Sequence, residues 1–197
     1  MKGNISIYMC YKENSVFLKE ENRDGYIVSA LMKKVWAVEL DLLSELDRVC
    51  KKYNIKYYAA FGTLLGAVRN KGFIPWDDDI DVCMLRDDYA KFKEVAKNEF
   101  GGKYYYQDWY NSCGRTWIFS KLRNSETTAI EYPEKPKEFN QGIFIDIFPI
   151  VEFNDGVNSN LEFKVIQKAS VPVYNHCIML LYYPFQDNIS HLQLSPS

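Results

Sequence analysis

Asp77-Asp78-Asp79-Ile80-Asp81 stands between Ile74-Pro75-Trp76 and the apolar run Val82-Cys83-Met84-Leu85. Four carboxylates in five positions repel one another and cannot share a buried site as bare anions. Their apolar neighbours nonetheless belong to a core. A divalent cation resolves the conflict, because a hard cation takes carboxylate oxygens and cancels their repulsion. The stretch therefore predicts a Mg²⁺ or Mn²⁺ site, and most such sites handle phosphate.

Working outward, the alternation over 79–84 predicts a strand with Asp79 and Asp81 on one face, since side chains on a strand repeat every two residues. Asp77 reaches the same cation if the chain bends after Pro75. Asp78 faces away from both neighbours and reads as a hydrogen-bond anchor. Upstream, Val28, Leu31, Val35, Val38, Leu42, Leu46, Val49 and Tyr53 recur at three- and four-residue steps, predicting an amphipathic helix over 27–53 that stops at Asn54. A strand follows over 55–61, broken by Gly62-Thr63, and a short helix over 64–69 with Thr63 near its cap. Downstream, Arg86-Asp87-Asp88 opens a helix running to about residue 100, which Gly101-Gly102 ends. Strands are predicted over 103–109, 116–122 and 142–148, with a loop over 132–142.

Residues 1–26 read as an N-terminal extension with one short strand at 6–9. Residues 27–153 read as the catalytic core. Residues 154–197 read as a short, truncated C-terminal segment: a turn-rich linker, a helix over 161–169 and a polar tail. The expected class is α+β, a mixed sheet of four or five strands with flanking helices.

Composition narrows the function. The chain has 197 residues, 47% hydrophobic and 25% charged, enough for one packed core. A net charge of −2 excludes a general nucleic-acid binder, which needs a basic face. Its five cysteines are scattered, with no C-x-x-C spacing, which fits a reducing compartment rather than a disulfide or zinc framework. The sequence holds no apolar run of the length that spans a bilayer and no secretory leader. A cytoplasmic protein without a transmembrane segment is the expectation.

Three pieces carry chemistry. Gly62-Thr63 lies where strand meets helix, where backbone N–H groups favour an anion; by itself it is equally an ordinary turn. Asp79 and Asp81 form a D-x-D pair, elsewhere usually a solvated edge, but here set among apolar residues. Asp146 lies alone in Ile143-Phe144-Ile145-Asp146-Ile147-Phe148, as a satisfied core polar group or as a ligand of the same site. An EF-hand reading fails because Val82 replaces the glycine of loop position 6 and Asp88 the glutamate of position 12. A metal-dependent D-x-D glycosyltransferase is a better rival, but lacks the long nucleotide-binding half expected before the motif. A catalytically inactive nucleotide-binding protein is the third alternative.

Glycine turn, D-x-D strand and a later strand aspartate follow the order of the polymerase-β-like nucleotidyltransferase fold. More narrowly, the run Phe61-Gly62-Thr63-Leu64-Leu65-Gly66-Ala67-Val68-Arg69, then Gly72-Phe73-Ile74-Pro75-Trp76-Asp77-Asp78-Asp79-Ile80-Asp81, and later Gly142 to Pro149, resembles the LicD family of phosphocholine and fukutin-related transferases. The resemblance implies transfer of a phospho-alcohol such as phosphocholine from a CDP-linked donor to a hydroxyl of a glycan acceptor, with CMP released, as in modification of lipopolysaccharide or teichoic acid. A lipid-linked acceptor would bring peripheral membrane association. It places the metal on Asp77, Asp79, Asp81 and Asp146, and leaves Asp146 and Asp81 as rival bases for the attacking hydroxyl. Gly62, Thr63, Arg69 and Lys121 are candidates for holding the donor, with Lys71 and Arg123 as further cations that are equally plain surface charges. Trp76 is either a stacking platform for a base or ammonium or a core tryptophan. The chain departs from the family at Phe61 and Asn70, where Gly and His are usual, and shows no Phe-Glu-Gly or Tyr-Gly-Asp segment after residue 153.

Overall fold

The computed structural model describes residues 16–112, 117–136 and 138–152, and the strand at 163–164. The expected strand at 6–9 and most of the segment after 153 lie outside the described residues.

A hairpin of β1 (Glu21–Arg23) and β2 (Tyr26–Val28) precedes helix α1 (Ala30–Tyr53). The helix starts at 30 rather than 27 because Ser29, in extended conformation, accepts the Met32 N–H on its side chain. Asn54 ends it in the left-handed conformation, as its sequence position predicts. The buried face is turned from the one the periodicity suggested. Leu31 is 72% exposed, and Trp36, Leu40 and Leu43 join Leu42, Leu46 and Val49 inside.

The main sheet runs β3 (Tyr58–Ala59), β4 (Asp81–Leu85), β7 (Phe144–Glu152), β6 (Ser120–Asn124), β5 (Tyr104–Gln107) in spatial order. Among the described residues only β4 and β7 are parallel. Helices α2 (Phe61–Arg69) and α3 (Arg86–Glu99) complete an α+β fold consistent with the nucleotidyltransferase expectation. The strand expected over 55–61 shrinks to two residues because α2 already begins at Phe61. The last strand runs past the expected end at 148, through Pro149. Proline lacks an N–H, and it is tolerated here beyond the point where β6 stops flanking β7. A further strand, β8 (Phe163–Lys164), pairs with Val151 and Glu152, so those two residues are extended and not helical.

Alternation decides which residues reach the core. Val82, Met84, Leu122, Ile145 and Ile147 turn to one face and pack with Leu42, Leu43, Leu46 and Val49 of α1 and Phe92 and Ala96 of α3. Burying each such aliphatic side chain contributes about 1.5–3 kcal/mol. The residues between them, Asp81, Cys83, Lys121, Arg123, Asp146 and Phe148, are thereby forced onto the opposite face. Period two thus separates the chemistry from the core. Among the described residues no helix is long and apolar enough to cross a membrane.

Candidate functional site

Asp81 and Asp146 are directly paired in register on the parallel strands β4 and β7, and Lys121 is the antiparallel partner of Asp146 on β6. Three strands thus bring two carboxylates and a cation into one row. The backbone beneath is tied from both sides. Asp81 N–H donates to Thr63 Oγ1 at 2.8 Å, Ala60 N–H donates to the Asp81 carbonyl at 3.0 Å, and Asp146 N–H donates to the Ile80 carbonyl at 2.9 Å. Thr63 is accordingly not the cap of α2: it lies inside the helix, and its hydroxyl fixes the start of β4.

The strand begins only at Asp81, so Asp79 sits in the preceding loop rather than on the strand face. The loop itself curls. Asp77 N–H donates to the Ile74 carbonyl at 3.0 Å, and the Trp36 indole N–H holds the Asp77 carbonyl at 2.8 Å. That bend supplies the turn after Pro75 that Asp77 needed. It also overturns the expectation for Asp78, because carboxylate oxygens of Asp77, Asp78 and Asp79 lie within 4.8 Å of one another. Gly62 makes room for the curl: a Cβ there would stand 2.5 Å from Asp77 Oδ2.

The electrostatics are those of crowded carboxylates with Lys121 as the cation that opposes them. Burial, then Asp79, Asp146 and Asp77, push the Asp81 carboxyl from 3.8 up to about 8. Burial raises Asp146 to about 6, with Lys121 opposing it, and burial with Asp79 and Asp78 raises Asp77 to about 6. Asp79 is raised by burial and by Asp78. The donors are hard oxygens, which suits Mg²⁺ or Mn²⁺ and not a thiolate-loving metal. Cys83, on the same face, is no competitor, since burial and Asp81 push its thiol up to about 12.

The other expected residues fall in different places. Lys121 is buried, with Nζ 2.9 Å from Asp146 Oδ1 in an ion pair. It also lies 3.2 Å from Glu131 Oε1, and 3.3 Å above the Phe144 ring centroid. It is thus a counter-charge for Asp146, not a cation standing free for donor phosphates. Arg123 is buried as well, donating to Gln107 Oε1 at 2.6 Å, the Gly142 carbonyl at 2.8 Å and Glu131 Oε2 at 2.7 Å. It is no surface charge. Arg69 is exposed at the far end of α2, bonded to Asn70 Oδ1 at 2.9 Å, with its guanidinium 5.9 Å from the Trp76 ring. Trp76 is 59% exposed and edge-on to Tyr26, which removes the core reading. Lys71 is spent on the Val68 carbonyl at 3.1 Å.

Two features escaped the sequence. Phe61 has φ 44°, a left-handed conformation that a Cβ makes costly. Its ring stands edge-on to Phe148 at 5.1 Å, and Phe148 lies 4.5 Å from Phe119, a row of rings beside the carboxylates. Glu39 of α1 is buried under the acidic loop, and its carboxyl is pushed well above the usual range by burial and then by Asp79, Asp78, Asp77 and Asp81. A signal for it existed. Glu39 is four residues after Val35 and three before Leu42, inside the apolar stripe.

Residues 54–187 match the sequence profile described as LicD/FKTN/FKRP, nucleotidyltransferase domain. A lipopolysaccharide cholinephosphotransferase LicD of Haemophilus influenzae is 54% identical over 56 residues, which are 28% of this chain and 21% of that protein. An uncharacterised protein of Rickettsia prowazekii is 34% identical over 191 residues, covering 88% of this chain and 70% of the relative. A second uncharacterised protein, from Rickettsia typhi, is 33% identical over 104 residues, 50% of this chain and 33% of its own length.

Proposed function

Because the chain belongs to the LicD/FKTN/FKRP nucleotidyltransferase family, we propose that it transfers a phospho-alcohol, phosphocholine or a close analogue, from a CDP-activated donor to a hydroxyl of a cell-surface glycan or its lipid-linked precursor. The observation that carries this reading is the in-register pair Asp81 and Asp146, preceded along the chain by the clustered carboxylates of Asp77, Asp78 and Asp79.

In this reading Asp77, Asp79 and Asp81 would hold Mg²⁺ or Mn²⁺, which would supply positive charge for the donor diphosphate and the leaving phosphate. The acceptor oxygen bonds to the phosphorus carrying the alcohol. The bond from that phosphorus to the CMP oxygen breaks, and CMP leaves with the electron pair. Asp146 takes the acceptor proton: Lys121 favours its anionic form and its pKa of about 6 suits a general base near neutral pH. Gly62 and Thr63 shape the floor by letting Asp77 approach and by pinning Asp81. Trp76 and Arg69 form an exposed rim that suits the donor's base or the acceptor.

Titration of the protein with CDP-choline, CDP-ribitol and a UDP-sugar, with and without Mg²⁺, tests the donor class. Mg²⁺-dependent binding of a CDP compound is expected. Tight binding of the UDP-sugar alone would sink the proposal in favour of a glycosyltransferase. Release of CMP in the presence of a glycan acceptor tests turnover, and donor binding without release would mark a binding protein.

A further inference from the structure

We propose that Glu39 is a further carboxylate of the divalent-cation site, supplied from below by α1; the inference rests on the metal-dependent reading above. Glu39 is 1% exposed, and its Oε2 has no hydrogen-bond partner among the described residues. Leaving a carboxylate buried and unpartnered costs several kcal/mol. The other buried acid of this helix shows the usual remedy: Asp41 Oδ2 takes Lys103 Nζ at 2.5 Å and the Tyr104 hydroxyl at 3.2 Å. Arg23, whose guanidinium lies 5.1 Å from the Trp36 ring, pairs with Glu21 through Nε and keeps an unpartnered Nη2. Lys33 is held by Glu21 at 2.6 Å, and Lys121 by Asp146 and Glu131.

The helix face that carries Glu39 is the one that supports the acidic loop. Trp36, three residues earlier, donates its indole N–H to the Asp77 carbonyl. Leu40 and Leu43 border one small cavity together with Thr63, Asp77 and Ile80. Residues three and four apart on a helix share a face, so Glu39 lies between these contacts. After burial, the charges of Asp79, Asp78, Asp77 and Asp81 do most to raise its carboxyl. A cation bound by that loop is the partner the carboxylate lacks.

The test is Mn²⁺ binding to the full chain, read from free Mn²⁺ by electron paramagnetic resonance, for the native protein, Glu39→Gln, Glu39→Asp and Asp79→Asn. Loss of a carboxylate that supports a bound metal weakens affinity about 10–100-fold, so Glu39→Gln is expected to weaken Mn²⁺ binding at least 10-fold. Its melting temperature without metal should be equal to or above that of the native chain, because an amide in place of a buried carboxyl no longer has to hold a proton among four acids. Glu39→Asp keeps the charge with shorter reach and is expected to fall between the two. It also covers the case in which the glutamine variant does not fold. Unchanged Mn²⁺ affinity in a folded Glu39→Gln or Glu39→Asp protein, with binding lost in Asp79→Asn, overturns this inference and leaves the proposed function standing. A native protein that binds no Mn²⁺ overturns both.

Discussion

Asp81 and Asp146 face each other across the parallel strand pair β4 and β7, and Lys121 reaches Asp146 from the antiparallel side. The two acids therefore sit in unlike surroundings. Asp81 is crowded by Asp79, Asp146 and Asp77, whereas Asp146 has a cation in contact. That asymmetry gives them different tasks in the proposed transfer.

Asp79→Asn is expected to weaken Mg²⁺-dependent binding of a CDP donor by at least about 100-fold, above the usual cost of an outer-sphere change. The fold should persist, since Asp79 lies in a loop outside the core. Calorimetry with and without Mg²⁺ measures it. Unchanged affinity would remove Asp79 from the site.

Asp146→Asn should separate binding from turnover. Donor binding is expected to stay within about tenfold of native, while CMP release falls by 10² or more, the range of a lost general base. Equal losses in both would assign Asp146 to cation binding alone.

The raised carboxyls set the pH dependence of stability. Asp77, Asp81 and Asp146 hold protons in the folded protein at pH values where the unfolded chain has released them. Folding thus takes up protons between about pH 4 and pH 8, and metal-free stability is expected to fall as pH rises through that window. Mg²⁺ competes with those protons, so the rise in melting temperature it produces should be small at pH 5 and large at pH 8. A Mg²⁺ shift that shrinks with rising pH contradicts the site.

Lys121→Met removes the counter-charge of Asp146. The Asp146 carboxyl should then titrate higher, and the acid limb of the kcat/KM profile should move to higher pH. An unmoved limb would mean that Asp146 is not the base.

Two glycines of α2 should behave differently on conversion to alanine. At Gly62 the new methyl meets the tip of the Asp77 side chain, which can swing away, so cation affinity drops more than stability. At Gly66 it would lie 2.5 Å from the Gly72 carbonyl oxygen, which is backbone. Gly66→Ala is expected to cost about 1–3 kcal/mol, as overpacking does. Denaturant titrations alongside Mn²⁺ affinities distinguish them.

The sequence makes the apolar periodicity of α1, α3 and the sheet legible because burial enforces it, and the aspartate order gives the fold. What it hides is local geometry. Alternation extends β4 back to Asp79, yet the Trp36 bond to the Asp77 carbonyl curls that segment out of the sheet. Thr63 looks like a cap because it follows glycine, but its partner is Asp81, eighteen residues away. Lys121 reads as a phosphate ligand until β6 is set beside β7, where Asp146 claims it. Glu39 needed the tertiary position of α1 before its neighbours appeared.

Because β4 and β7 are so far apart along the chain, Asp146 reaches Asp81 only after everything between them has found its place. Non-local pairing of this kind closes late, since its loop entropy comes before its reward. During synthesis the ribosome will therefore have exposed an acidic loop long before the companion acid exists. In the proposed transfer the base is the last part to arrive, so turnover rather than cation binding marks a completed fold.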